Sequence, residues 1–393
     1  MQDNEKKPAL RFKGFTDPWE QRKFEEIAVR SSVMSDKKGL PRVEYEDIIS
    51  GAGRLNKDIK LKESEKVGIV FHKGDVLYGK LRPYLQNWLL ASFNGLAVGD
   101  FWVLQPQNTD SSFLYRLVQS QQFDEVANQS TGTKMPRADW KLVSKTKFAM
   151  PHSVDEQAAI GAYFEHLDTL ITLHQRKYEK LVNIKKSMLD KMFPKNGASV
   201  PEIRFKGFTD LWEQRKLGDI TVELSEYATQ ELGLPLLTSS RSGLMYQDEY
   251  RDSRTTKSTE TLFSVVPVGT CTYRHMSDDD VFHMNINTLE KGLVSREYPV
   301  FEASKGNNLE FLVQHINSSE EFKAFCAEQK KGGTRTRLYY NTLCQFTVRV
   351  PALKEQAQIS QCLKKLDTLI TLHQRKLEKL QNIKKSCLEK MFV

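Results

Sequence analysis

Gly74-Asp-Val-Leu-Tyr-Gly79-Lys80 has the glycine and lysine spacing of a loop that cradles nucleotide phosphates. The next position of such a loop must be Ser or Thr to hold magnesium, and here it is Leu81, with Pro83 close behind. The match is therefore accidental. Gly51-Ala-Gly53 lacks the third glycine of a dinucleotide fingerprint and reads as a turn. His275, the run Asp278 to Asp280, and His283 offer imidazole and carboxylate ligands for a metal, but a solvated acidic loop is the plainer reading. No Pro-Pro pair occurs, which removes the Asn/Asp-Pro-Pro-aromatic motif of amino-methyltransferases, and no Pro-Asp pair begins a nuclease signature. The chain is expected to catalyse nothing by itself and to bind no cofactor or metal.

What the chain does carry is a repeat. Pro8 to Lys23 returns as Pro201 to Lys216, and Leu167-Asp-Thr-Leu-Ile-Thr-Leu-His-Gln-Arg-Lys177 returns unchanged as Leu366 to Lys376. The spacing is about half the chain, far longer than the 20 to 50 residues of a solenoid unit. It implies two similar halves related by a pseudo-two-fold axis. The residues between the shared segments barely match, so the halves share a frame and differ in target.

Each half reads as a short shared opening segment, a mixed α/β region and a long helix. Strand-like stretches in the first half are Val67–Phe71, Asp75–Tyr78 and Phe101–Leu104; in the second they are Phe263–Val266, Gly269–Tyr273 and Tyr298–Phe301. One helix is expected over about Ser111 to Asn128 and another over about Leu309 to Lys330. A turn at Gly95-Leu96 answers to one at Gly292-Leu293.

The long helices carry heptad seams. Ile160, Phe164, Leu167, Ile171, His174, Tyr178, Leu181, Lys185, Met188 and Met192 alternate in spacings of four and three, and so do Ile359, Leu363, Leu366, Ile370, His373, Leu377, Leu380, Lys384, Cys387 and Met391. About 38 residues of helix rise roughly 57 Å. Two such seams should pair as an antiparallel coiled coil, with His174 and His373 hydrogen-bonded across it as register pins.

At 393 residues, 39% apolar and 27% charged, the chain is expected to be folded, with no membrane span and no apolar leader. A cytoplasmic location follows. The five cysteines all lie in the second half without Cys-x-x-Cys spacing and read as reduced thiols. The net charge of +8 favours a polyanionic partner such as DNA.

The arrangement resembles the specificity subunit of type I restriction–modification systems. The resemblance rests on Arg-Phe-x-Gly-Phe-x-x-x-Trp-Glu (Arg11 to Glu20; Arg204 to Glu213), on Gly74-Asp-Val-Leu-Tyr-Gly-Lys-Leu-Arg-Pro-Tyr84, and on Gly-Thr-Lys/Arg before each long helix (Gly132 to Lys134; Gly333 to Arg335). Pro-x(n)-Glu-Gln leads into the helices (Pro151 to Gln157; Pro351 to Gln356). The second half departs from the strand motif, since Gly269 to His275 lacks Lys-x-Arg-Pro.

The resemblance implies an α+β fold with two pseudo-symmetric mixed α/β target-recognition domains, separated by a pair of long antiparallel coiled-coil helices. The expected divisions are 1–151 for the first recognition domain, 152–193 for the first spacer helix, 194–203 for a linker, 204–351 for the second domain and 352–393 for the second helix. Each domain would read one half of a bipartite site on double-stranded DNA. Two modification subunits holding S-adenosylmethionine would dock on the frame, and restriction subunits would add ATP- and Mg-dependent chemistry.

Base reading uses Arg and Lys on guanine and Asn or Gln on adenine, while phosphate contacts set register. The candidate contacts are Lys80, Arg82, Tyr84, Thr133, Lys134 and Arg137 in the first half. In the second they are Arg274, His275, Thr334, Arg335, Arg337 and Tyr339. A coiled-coil scaffold joining two proteins without DNA is the competing reading.

Overall fold

Residues far apart in sequence complete each part of the structure, a computed structural model that describes residues 7–59, 65–129, 135–195, 197–250, 261–330 and 334–392. One unit comprises Met1–Lys177 with His373–Val393; the other is Tyr178–Leu372. The first unit therefore holds the start of one long helix, Val154–Lys191, and the end of the other, Leu353–Met391. The second unit holds the complementary stretches. Among the described residues no helix is long and apolar enough to cross a membrane.

In the first unit a four-stranded antiparallel sheet runs in the order Ala28–Ser31, Phe101–Pro106, Val76–Gly79, Trp88–Leu90. A second sheet runs Met34–Ser35, Gly68–Phe71, Gly95–Ala97, Arg42–Val43, and its last pairing is parallel. In the second unit one sheet runs Thr221–Glu223, Val300–Ala303, Cys271–Thr272, Asn285–Ile286, and another runs Tyr227–Ala228, Phe263–Val266, Gly292–Ser295. The expected strands are all present, shifted by one or two residues at most of their ends.

Two expectations need correction. Gly95 and Gly292 begin strands rather than turns. Each is glycine because a neighbouring segment crosses closely: an added Cβ would stand 2.5 Å from the Pro41 carbonyl oxygen at Gly95, and at Gly292 2.5 Å from the Leu237 side chain and 3.0 Å from the Pro235 carbonyl oxygen. Each expected single helix is also a pair, Ser111–Leu117 with Gln121–Ala127, and Leu309–Ser318 with Glu320–Glu328. Ser120 and Ser319 cause the breaks. Their hydroxyls accept the Phe123 and Phe322 amides, caps that start a new helix in place of continuing the old one.

The repeated motifs meet as one buried clasp in each unit. Arg11 grips Glu156 through Nε at 2.6 Å and a terminal nitrogen at 2.7 Å, and the Trp19 indole also donates to Glu156 at 3.3 Å. Arg204 grips Glu355 in the same way, at 2.7 Å for both contacts. The following glutamine orients the helix pair: Gln157 accepts from the Asp110 amide and donates to the Pro151 carbonyl, and Gln356 does so with Asn308 and Pro351. Asp110 and Asn308 are themselves helix N-caps. The Arg…Trp opening and the Glu-Gln are thus two sides of a single joint.

The seams run antiparallel within each unit. In the first, the Tyr163 hydroxyl lies 3.6 Å from Cys387 Sγ, Lys384 Nζ is 2.6 Å from Asp168, and His174 Nδ1 meets His373 Nδ1 at 2.8 Å. One imidazole must donate that proton and the other accept it. Burial, then the neighbouring His373, holds the His174 pKa below its ordinary value. In the second unit Lys185 pairs with Asp367, and Met188 and Leu189 pack on the core containing Ile359 and Leu363. The lysines in the seam are therefore its ion-paired positions.

Each core receives a phenylalanine from the end of a helix repeat. Phe392 lies 6.5 Å from Trp19 and stacks on Phe113 at 5.5 Å, while Phe193 lies 6.4 Å from Trp212 and 5.4 Å from Phe311. All five cysteines are free thiols, and Cys271, Cys326 and Cys387 are buried.

Candidate nucleic-acid interface

In the first unit the interior strand Val76–Gly79 delivers Lys80 to one end of its sheet, and the segment ahead of the long helix comes to lie beside it. The Ala138 amide donates to the Lys80 carbonyl at 2.9 Å, the Arg82 amide donates to the Pro136 carbonyl at 2.8 Å, and Leu81 and Arg137 form an antiparallel bridge. Two groups of candidates more than fifty positions apart thereby share one edge. Tyr45 locks the arrangement. Its hydroxyl accepts the Leu81 amide at 2.9 Å and donates to the Asp100 carbonyl at 2.6 Å, and burial pushes its pKa well above the ordinary tyrosine value.

Beyond the bridge, Arg82 (φ 50°) and Gln86 (φ 56°) flank the single turn Pro83–Leu85, both in the left-handed region that non-glycine residues avoid. Such strain persists only where surrounding contacts impose it. Here the Gln86 carbonyl accepts the Gly51 amide, and the Asn87 side chain accepts the Ser50 hydroxyl. The expected turn at Gly51–Gly53 is present and supports the protrusion. The result is a fixed protrusion that exposes Tyr84 and Leu85 to 56% and 39%.

The second unit builds the same edge from different residues. Met276–Ser277 pairs with Thr336–Arg337, and the Leu338 amide donates to the His275 carbonyl at 2.8 Å. Arg274, Arg335, Arg337 and Tyr339 stand exposed along this edge, with Thr334 beside them. His275 does not. It is buried beneath Tyr339, whose ring stacks on it with centroids 5.6 Å apart, and desolvation lowers its pKa. The expectation that His275 faces a ligand is corrected: its imidazole supports Tyr339. Thr133 and Lys134 lie outside the described residues.

Several residues of these edges escape a reading of the sequence. Asp100 accepts Lys80 at 3.4 Å and Arg137 at 3.1 Å. In the second unit Asp278 holds Arg335 at 2.7 Å, Asp279 holds Arg241, and Asp280 accepts Thr336 and lies 3.6 Å from Lys330. The acidic run considered for metal is thus occupied by basic and hydroxyl side chains, and no three His, Cys, Asp or Glu converge as a metal site among the described residues. Arg241 sits at the turn between Leu237–Ser240 and Gly243–Tyr246. With Arg274, Ser277, Asp279 and His283 it lines an open cleft of about 480 Å³. No sequence signal joins it to Arg274, because the hairpin lies more than thirty residues away and meets it only in the fold.

Two edges of arginine, lysine and exposed tyrosine, each on a mixed α/β unit joined to paired long helices, suit contact with a polyanion. The profile of the type I restriction modification DNA specificity domain matches residues 16–183 and 283–382, well over half of the chain. The chain belongs to that family. It is a family of specificity components, not catalysts. Over 127 residues the chain is 25% identical to the type I restriction enzyme EcoDI specificity subunit of Escherichia coli, a match covering 31% of this chain and 28% of that one. The chain thus aligns with under a third of that relative's length. Among solved structures, the type I restriction–modification system S subunit from M. genitalium is similar over 99% of both chains, with a TM-score of 0.63 at 13% identity. That likeness shows a common fold. The HsdS subunit from Thermoanaerobacter tengcongensis is similar over 95% of this chain and 96% of its own, with a TM-score of 0.45 at 18% identity.

Proposed function

We propose that this specificity-family chain reads a bipartite sequence on double-stranded DNA, one half-site per unit, and carries two modification subunits on a pseudo-symmetric frame. The observation that supports it most is the pair of edges. In each unit a β-bridge joins a strand end to the segment before a long helix, and exposed cations line the join. The frame around the edges repeats residue for residue in the clasps Arg11–Glu156 and Arg204–Glu355, while the edges themselves differ. A shared frame with unlike edges is what two equal partners and two unequal half-sites require.

In this reading Lys80, Arg82, Tyr84, Thr133, Lys134 and Arg137 serve one half-site, and Arg274, Thr334, Arg335, Arg337 and Tyr339 serve the other. Arg and Lys supply phosphate contacts and guanine readout, and the tyrosines stack or wedge. Domains 1–151 and 204–351 are the readers, and helices 152–193 and 352–393 the spacer, with 194–203 linking them. S-adenosylmethionine belongs to the modification subunits, and ATP and Mg to restriction subunits, all in the cytoplasm.

The test is methylation mapping in a methylation-free host that makes this chain with its neighbouring modification subunit. A two-part methylated motif that appears only when both are made is expected. A soluble complex of the two that adds no methylation would refute the proposal and favour the protein scaffold.

A further inference from the structure

We infer that Asp100 in the first unit, and Asp278 and Asp279 in the second, set specificity by competing with DNA phosphates for the cations of the reading edges. The inference rests on the DNA-reading proposal above. In both units the exposed basic residues fall into two classes. Lys80 and Arg137 are held by Asp100, Arg335 by Asp278 and Arg241 by Asp279. Arg82, Arg274 and Arg337 have no carboxylate partner among the described residues. The engaged class outnumbers the free one on the first edge and equals it on the second.

A structural purpose for these pairs is weak. Their carboxylates are open to solvent, half-buried at Asp100 (29%) and exposed at Asp279 and Asp278 (51% and 67%), and ion pairs that reach solvent contribute little to stability. Base reading by the acids is also disfavoured. A carboxylate can accept from cytosine, but Asp279 already receives Arg241 and the Ser277 hydroxyl, and Asp100 is shared between two cations. The two units reach this arrangement with unrelated residues, Asp100 just before the strand Phe101–Pro106 and Asp278–Asp279 on the loop after Met276–Ser277.

The consequence is an exchange. A phosphate that takes Arg137 or Arg335 leaves a bare carboxylate beside the DNA backbone, so a random duplex gains little from contacts that would otherwise attract any sequence. Base-edge hydrogen bonds, which only the correct half-site offers, drive the exchange forward. The acids thereby suppress the sequence-independent share of binding, which otherwise supplies most nonspecific affinity.

The test uses the full chain with its modification subunit and two probes, a random-sequence duplex and the duplex found by methylation mapping, over a range of salt. Asp100→Asn and the double variant Asp278→Asn/Asp279→Asn should bind the random duplex roughly three- to ten-fold tighter. The log–log salt slope should steepen by about 0.9 for each cation released to a phosphate, and the ratio of target to random affinity should fall. Unchanged or weaker random-duplex binding would overturn the inference. Loss of target affinity alone would make the acids base readers and also overturn it. A wild-type complex that binds neither duplex would instead sink the DNA-reading proposal itself.

Discussion

His315, outside the two basic edges, links stability to pH. It is buried in the second unit, stacked on Phe193 with centroids 4.7 Å apart, and its Nδ1 meets no hydrogen-bond partner among the described residues. Desolvation lowers its pKa from 6.5 to about 4. The unfolded chain then takes up a proton first, so stability falls as pH drops from about 7 towards 4 and levels off below. The loss reaches about 3 kcal/mol. His315→Phe keeps the stack and removes the proton, so its urea midpoint should decline less than the wild type's between pH 7 and 4.5; parallel declines would refute this origin. Single residues were legible in the sequence only by type. Lys80, Arg137, Arg335 and Arg337 stand out as cations near repeated motifs, whereas Asp100, Arg241 and Tyr45 act through cross-chain pairings that no spacing encodes. His275 reads as a surface group because its polarity says nothing of the Tyr339 ring that covers it.

At the scale of elements, the clasps account for the repeated motifs. Glu156 and Glu355 are almost fully enclosed, and each depends on its arginine for charge balance. Arg204→Ala strands Glu355 and should destabilise the second unit by about 3–5 kcal/mol. Arg11→Ala should cost less, because the Trp19 indole still donates to Glu156 whereas the Trp212 indole has no partner among the described residues. Arg204→Met with Glu355→Met should recover much of the loss; calorimetry of the three variants decides it. The long helices were legible because heptad spacing is local, and the strands because apolar runs between glycines and prolines are local too. The Ser120 and Ser319 breaks were missed because apolar periodicity continues across a capping serine. Gly95 and Gly292 read as turns because the reason for glycine, a crossing segment, lies at Pro41 for one and at Pro235 and Leu237 for the other.

At the scale of the molecule, each long helix runs unbroken for 38 or 39 residues and gives one part of itself to each unit. If the helices space the readers, about four residues added to both should lengthen the span by roughly 6 Å, near two base pairs. Methylation mapping should then find the same half-sites separated by a longer gap; altered half-sites would refute the spacer role. The repeat made the two-part organisation legible, but which segments complete which unit was not, since the repeat is silent on how helix ends are exchanged. That exchange bears on the order of synthesis. The first unit's core contains Cys387, Met391 and Phe392, and the Leu10 amide donates to the Lys390 carbonyl at 3.0 Å. Everything else in that core leaves the ribosome some two hundred residues earlier and must wait with its Phe392 socket open, whereas the second unit closes from one continuous stretch. A chain stopped by a premature codon between Leu372 and Cys387 would carry a finished second unit and a first with apolar surface uncovered, ready to be recognised by chaperones or proteases.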